Sequence, residues 1–251
     1  KGMRWTALIL VSLSMFSAYF FVDLLSPLQS MLEVSYKWDP ENYGFFSSSE
    51  YFLNVFAFFL IFSGIILDKM GVRFTAITSG IVMLFGALIK MYALTPYFND
   101  GGFGFSFLNS FIPNMPPSVK LASLGFAIFG VGVEMAGITV SKAIVKWFKG
   151  KEMALAMGME MATARLGVFA VFRLSPLLAK NGDVITPVIF GVVLISIGLL
   201  LFITYSFMDY KLDKQIGDAA DSDASEEEFK VSDLKYIFTN KGFLYIAGLC
   251  V

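Results

Sequence analysis

Two residues of opposite charge, Glu134 and Arg165, stand within long apolar runs. At the centre of a bilayer each charge costs at least about 2.5 to 3.5 kcal/mol, so each must be paired, wetted or put to use. A carboxylate accepts hydrogen bonds from an ammonium, and a planar guanidinium donates to both oxygens of a carboxylate. The two together suit a zwitterion; the alternative is a salt bridge that stabilises a helix bundle without touching solute. Glu134 lies 13 residues before Trp147 and Arg165 lies 13 residues after Glu152, so on consecutive helices both sit about 20 Å from one end. Helices joined by a short turn pack side by side, which puts the two charges at one height. Gly130 and Gly137, at i−4 and i+3 from Glu134, give that helix a thin face for a ligand or a second helix.

Other chemistry is poorly provided for. The 251 residues contain no histidine and one cysteine, Cys250, which excludes a Ser-His-Asp triad and an internal disulfide and removes the commonest zinc ligand. No nucleophile–base constellation or metal set appears, so no enzyme activity, cofactor or metal is expected. A net charge of −1 gives no basic surface for nucleic acid.

The charged pair needs elements to hold it, and composition says what they are. The chain is 57% hydrophobic and 16% charged, with a mean hydropathy of +0.71, more apolar than one soluble core can hide. Crossing about 30 Å of hydrocarbon takes about 20 helical residues. Six stretches qualify: Trp5–Met31, Tyr43–Leu67, Phe74–Leu94, Val119–Trp147, Met153–Leu174 and Val184–Phe207. None alternates with a two-residue period, so a helical bundle is expected and a β-barrel is not. The first run is too long for a signal peptide and reads as a retained span.

Basic residues set the orientation. Lys1, Arg4, Lys69, Arg73, Lys146, Lys149 and Lys151 fall on one side, predicted to be cytoplasmic and to hold the amino terminus. Residues 95–118, broken by Pro113, Pro116 and Pro117, are expected to form an external cap. After Phe207, Asp218, Asp221, Asp223 and Glu226–Glu228 mark a flexible cytoplasmic linker. The expected organisation is therefore a six-helix bundle over 1–207, a partly disordered linker over 208–241, and the start of a seventh helix over 242–251. A carboxy-terminal half is expected to follow as the bundle's partner.

Between spans two and three the chain reads Gly64-x-x-x-Asp68-Lys69-x-Gly71-x-Arg73. Gly64 can admit a neighbouring helix, Gly71 can supply turn backbone, and Asp68 can accept from Arg73 or from a helix N-terminus. The cluster reads either as a latch for one conformation or as an ordinary positive-inside turn. Here the sequence resembles the major facilitator superfamily, whose signature loop has this spacing; Lys146-Trp147-Phe148-Lys149-Gly150-Lys151-Glu152 is similar to a second family pattern. The resemblance implies an all-α membrane fold, half of a twelve-helix architecture, with inverted three-helix repeats and a midplane site between halves.

Helix 1 from Phe16 to Gln29, Gly130 to Glu134 and Thr163-Ala164-Arg165-Leu166-Gly167 look like the lysosomal dipeptide transporter branch of that family. That likeness implies Glu134 for a peptide ammonium and Arg165 for its carboxylate. Helix 4 lacks the arginine of the proton-antiport signature and helix 5 lacks a Gly-Pro signature, which weighs against drug export. The chain has no N-x-S/T sequon, and a bacterial-type plasma membrane fits it better than a lysosomal one.

Tyr19, Tyr51 and Asn54 lie at comparable depth and either line the same cavity or pack between helices. Asp23, Glu50 and Lys90 fall in the outer third, as parts of an external gate or as groups reaching water, with snorkelling the leading reading for Lys90. Glu160 and Lys142 lie nearer the basic end, in an inner gate or a solvated vestibule. The function expected is alternating-access transport of dipeptides or similar zwitterions within a lipid bilayer. The alternatives are an organic-acid carrier built on Arg165, and a receptor or scaffold without flux.

Overall fold

The computed structural model describes residues 2–180, 183–216 and 242. Among these residues every regular element is helical, as the apolar runs require in lipid. The helices are α1 (Gly2–Val22), α2 (Gln29–Tyr36), α3 (Pro40–Phe56), α4 (Phe59–Ala93), α5 (Pro96–Asn99), α6 (Phe105–Asn109), α7 (Pro117–Phe148), α8 (Met153–Leu178) and α9 (Ile185–Ile216). Five helical segments among the described residues are long and apolar enough to cross a membrane, the first being α1 and α2 together. The chain is an integral multi-pass membrane protein.

Three boundaries differ from the sequence expectation. The first span is interrupted: α1 stops at Val22 and a 3₁₀ turn over Ser26–Leu28 precedes α2. Pro27 has no N–H to donate and its ring crowds the carbonyl four residues back, at Asp23. Around this break the Leu24 carbonyl accepts from Ser175 Oγ at 2.8 Å, and the Phe21 carbonyl, which also accepts from the Leu24 N–H, accepts from Lys90 Nζ at 3.4 Å.

The expected second span, Tyr43–Leu67, is not one helix either. Asp39 caps α3 by accepting from the Asn42 N–H at 2.8 Å, with Pro40 at the first helical position, but α3 ends at Phe56. Phe58 then takes a left-handed φ of 55°, a strained conformation for a bulky residue, and α4 begins. A straight helix of 35 residues would be about 52 Å long, beyond one bilayer crossing. Gly71 resolves this with φ 77° and ψ 170°, backbone that only glycine adopts without strain.

The third difference is at the far end. The linker was placed from residue 208, yet α9 runs on to Ile216. Asp209 explains the extension, because its side chain is only 1% exposed and is held from three sides. Lys146 Nζ and Trp147 Nε1 of α7 donate to its carboxylate at 2.8 and 3.0 Å, and Tyr205 OH donates at 3.4 Å. Arg73 Nε of α4 lies 3.9 Å away. The remaining linker over 217–241 and the run over 243–251, with Cys250, lie outside the described residues.

Packing joins α4 to α7, α1 to α8 and α3 to α7. Helix α9 lies against α1, where Ser14 Oγ donates to Gly198 O at 3.0 Å. Arg4, Asp68, Arg73, Lys146, Glu152 and Asp209 gather at one end, linked by Arg4–Glu152 at 2.6 Å and Lys142–Asp68 at 3.1 Å. At the other end Tyr36 OH donates to Leu94 O at 2.7 Å and Trp38 Nε1 to Ser118 Oγ at 3.0 Å. Residues 95–116 contain α5, α6 and turns, tied to α7 by Lys120 Nζ, which donates to the carbonyls of Leu108 and Phe111.

Replacing Asp209 by Ala leaves Lys146, Trp147 and Arg73 without their shared acceptor. A hydrogen bond to a charged group contributes about 1.5 to 3 kcal/mol, so the detergent-solubilised protein is expected to melt lower, whereas Asp209→Asn, which keeps an acceptor for Trp147, should lose less. Equal melting of wild type and Asp209→Ala would show that the cluster does not hold the bundle.

Candidate functional site

A cavity of about 210 Å³ opens between α1, α3, α7 and α8. Helix α1 and the turn after it contribute Tyr19, Val22, Asp23 and Ser26; α3 contributes Tyr43, Phe46, Ser47, Glu50 and Tyr51. Helix α7 supplies Phe126, Val133 and Glu134, and α8 supplies Arg165. The acid and the base expected at one height thus share one cavity.

Glu134 and Arg165 do not form a salt bridge with each other or with any other described residue. Arg165 instead sets its guanidinium over the Tyr19 ring, 5.4 Å from the centroid. A cation on an aromatic face keeps its N–H donors in the plane available. Glu134 is half-buried and makes no side-chain hydrogen bond among the described residues. A free carboxylate and a free guanidinium on opposite walls can each take the complementary end of one bound molecule.

At one end of the cavity a short polar chain leads inward from α3. Tyr43 OH donates to Ser26 Oγ at 3.3 Å, and Ser26 Oγ donates to Asp23 Oδ1 at 3.3 Å. The break at Pro27 creates this arrangement, because an unbroken α1 would carry Ser26 past the cavity wall. Asp23 and Glu50 therefore line the cavity itself, beside Tyr19 and Tyr51. Glu50 is 7% exposed and has no ion pair or hydrogen bond among the described residues.

The two glycines of α7 have different surroundings. A Cβ at Gly130 would overlap the Glu50 carbonyl oxygen, so α3 crosses α7 at this point. At Gly137 a Cβ would meet nothing within 4 Å.

Other expectations change. Asn54 is not in the lining; its amide oxygen and nitrogen are buried without a hydrogen-bond partner among the described residues. It sits within α3, three residues before the helix ends at Ala57. Glu160 is half-buried and outside the lining. Lys90 does not snorkel. It is 0% exposed and its ammonium is enclosed by the rings of Phe21, Phe46 and Phe126, with centroids at 4.5, 5.1 and 4.3 Å.

In the turn near α4's Gly71, Asp68 pairs with Lys142 of α7 and not with Arg73, which reaches Asp209 and the Tyr210 ring. Lys69 is exposed. Among the described residues nothing lies within 4 Å of a Cβ placed at Gly64. Sequence reading missed Ser26, Tyr43, Ser47 and Asp209, and placed Lys90 at the surface. The spacing Tyr43, Ser47, Glu50 traces one helical face and was a usable signal; no local signal marks Asp209 as buried. Among the described residues no group of three or more His, Cys, Asp or Glu side chains could hold a metal.

A helical membrane bundle with a polar, charge-bearing cavity in its interior is the architecture of a solute-handling membrane protein. The Major Facilitator Superfamily model matches residues 11–251, and the chain belongs to that family. It is similar to the lysosomal dipeptide transporter MFSD1 of Pongo abelii and of Homo sapiens, each 22% identical over 259 residues, covering 98% of this chain and 50% of the relative. The Gallus gallus protein of the same name is 26% identical over 142 residues, 52% of this chain and 31% of its own length. The chain spans about half the length of the curated relatives it matches along its whole length. No solved structure matches it.

The Gly130 crossing makes a prediction that needs no substrate. Gly130→Ala is expected to push α3 off α7, at the about 1 to 3 kcal/mol typical of overpacking, and to lower the melting temperature. Gly137→Ala on the same helix should be tolerated, and equal effects of the two would remove the crossing.

Proposed function

We propose that this chain is the amino-terminal half of a secondary transporter that moves dipeptides or similar small zwitterions by alternating access. One observation carries the reading: Glu134 and Arg165 line a common cavity and are not neutralised by each other. The peptide ammonium rests on Glu134, the carboxylate takes the Arg165 fork, and the Tyr19 ring holds the guanidinium from behind. The names of the relatives support the same substrate class.

In this reading the amino terminus and the turn near Gly71 face the cytoplasm of a plasma membrane, and residues from 217 onward join a second helical half. The signature turn biases one state of the cycle, with the Asp68–Lys142 pair at 3.1 Å as a contact that is made and broken. An organic-acid carrier fits less well, because Asp23, Glu50 and Glu134 outnumber Arg165 in the lining and repel an anion. Tyr51 contributes a hydroxyl at the cavity edge, and Asp23 and Glu50 stand where a gate would be.

Removing one partner of a charge-assisted hydrogen bond costs about 1.5 to 3 kcal/mol, so Glu134→Gln and Arg165→Ala should each reduce dialanine uptake by the full-length protein in proteoliposomes by about tenfold or more. Dipeptides blocked at the amino terminus should fail to compete. Undiminished uptake in both folded variants rejects the site, and inhibition by blocked and free peptides alike favours the anion carrier.

A further inference from the structure

The cavity leaves one feature of the molecule unused, the segment between α4 and α7. Residues 94–116 hold six aromatic rings and one charged side chain, Asp100. The rings divide into two sets. Phe98 is buried and met edge-on by Tyr92 and Phe105, with centroids at 5.4 and 5.7 Å. Asn99 Nδ2 donates to Ala93 O and Thr95 O at 3.1 and 2.9 Å, which gives the segment a fixed fold. The other set turns outward: Phe103 is 87% exposed, Phe107 71% and Tyr97 66%. Phe107 meets Phe111 edge-on at 5.3 Å, and bulky rings this exposed and this close together mark a surface that something apolar covers.

Two tethers fix where the outward rings stand. Tyr92 OH, at the end of α4, donates to Phe103 O at 3.2 Å. On α4 Ile81, Phe85 and Leu88 are exposed at positions i, i+4 and i+7, and Tyr92 continues that stripe by one turn. Among the described residues none that lines the cavity comes from α4, so the stripe belongs to the outside of the bundle. Lys120 Nζ, in the first turn of α7, donates to Leu108 O at 2.7 Å and to Phe111 O, and lies 5.2 Å from the Phe111 ring centroid. One turn on, Leu124 is exposed as well. Both tethers therefore hang the segment beside apolar stripes of membrane-crossing helices. Residues 71–93 make about 34 Å of helix, one hydrocarbon thickness, which sets Tyr92 and the rings beside it at the boundary between acyl chains and headgroups.

We propose that residues 97–111 are a lipid anchor, whose outward rings enter the acyl-chain boundary of the leaflet at this end of the bundle. The apolar stripe of α4 runs up to Phe103 without a polar interruption, so the surface that lipid covers continues onto the segment. Backbone carbonyls need partners where water is scarce, and those of Phe103, Leu108 and Phe111 receive them from Tyr92 and Lys120. With Asp100 as its one charge, the segment has no electrostatic call on anionic headgroups, and rings against acyl chains supply the binding. Helices α4 and α7, which pack on each other, have their depth in the bilayer fixed by this anchor.

The full-length protein in phosphatidylcholine vesicles tests this without any solute, so the transport reading stands or falls separately. Phe103→Trp and Phe107→Trp put a fluorescent ring at each exposed position. The emission each adds should fall by about half or more when the lipid is brominated high in its acyl chains. Aqueous iodide should leave it nearly untouched, and low and high salt should give the same result. With Phe107→Asp added, Phe103→Trp should lose the bromine quenching. Quenching by iodide and not by bromolipid places the rings in water and overturns the inference, as does bromine quenching that requires anionic lipid. Should the variants misfold, hydroxyl-radical footprinting of the unaltered protein in phosphatidylcholine nanodiscs still decides: Phe103 and Phe107 should escape oxidation, and oxidation at the rate of a water-exposed ring overturns the anchor. Protection found in native membranes but absent from the nanodiscs assigns the surface to a protein partner and overturns it too.

Discussion

Polar groups that helices leave unpaired inside a bilayer have to be satisfied by the protein itself, and the break in α1 at Pro27 is where that constraint shapes the molecule. The carbonyl of Phe21 is met by Lys90 and that of Leu24 by Ser175, so α4 and α8 are both fastened to the same interruption. The break also turns Asp23 and Ser26 toward α3, where Tyr43 completes a short chain of hydroxyls. One proline thereby fixes a corner of the cavity and the position of a buried lysine.

The two ends of the bundle handle charge differently. At the basic end ions are paired: Asp209 collects Lys146, Trp147 and Tyr205, Asp68 holds Lys142, and Arg4 holds Glu152. Within the cavity, among the described residues, Glu134 and Glu50 make no such pairs and Arg165 lies over an aromatic face. Paired ions fix helices in register, whereas unpaired ones keep their electrostatic reach for something that enters. The distribution matches a bundle that is rigid at one end and chemically open in its middle.

Close packing makes the open middle possible without loosening the helices around it. Glycine at position 130 lets the α3 backbone seat directly on α7, which places Glu50 against the cavity, four residues from Glu134 along α7. Phenylalanines 46 and 126 then stack across the same contact and separate Lys90 from the cavity by one layer of rings. Dispersion and ring electrostatics hold an ammonium here where water cannot.

Hydropathy and period by themselves determined the helical membrane class, the turn at Gly71 and the common height of Glu134 and Arg165, because chain geometry makes depth a matter of counting residues. The likeness in Asp68 to Arg73 and in Lys146 to Glu152 gave the family, since those spacings are local. Tertiary structure decided what local pattern cannot carry. Asn54 lies at the depth of Tyr19 and Tyr51 yet is not in the cavity lining; Lys90 looks like a surface residue near a helix end yet is roofed by rings from three other helices; Asp209 reads as linker yet is buried by α4 and α7. For Lys90 and Asp209 the deciding contact comes from residues distant in the chain, and a partner distant in sequence leaves no periodic trace beside the residue it holds.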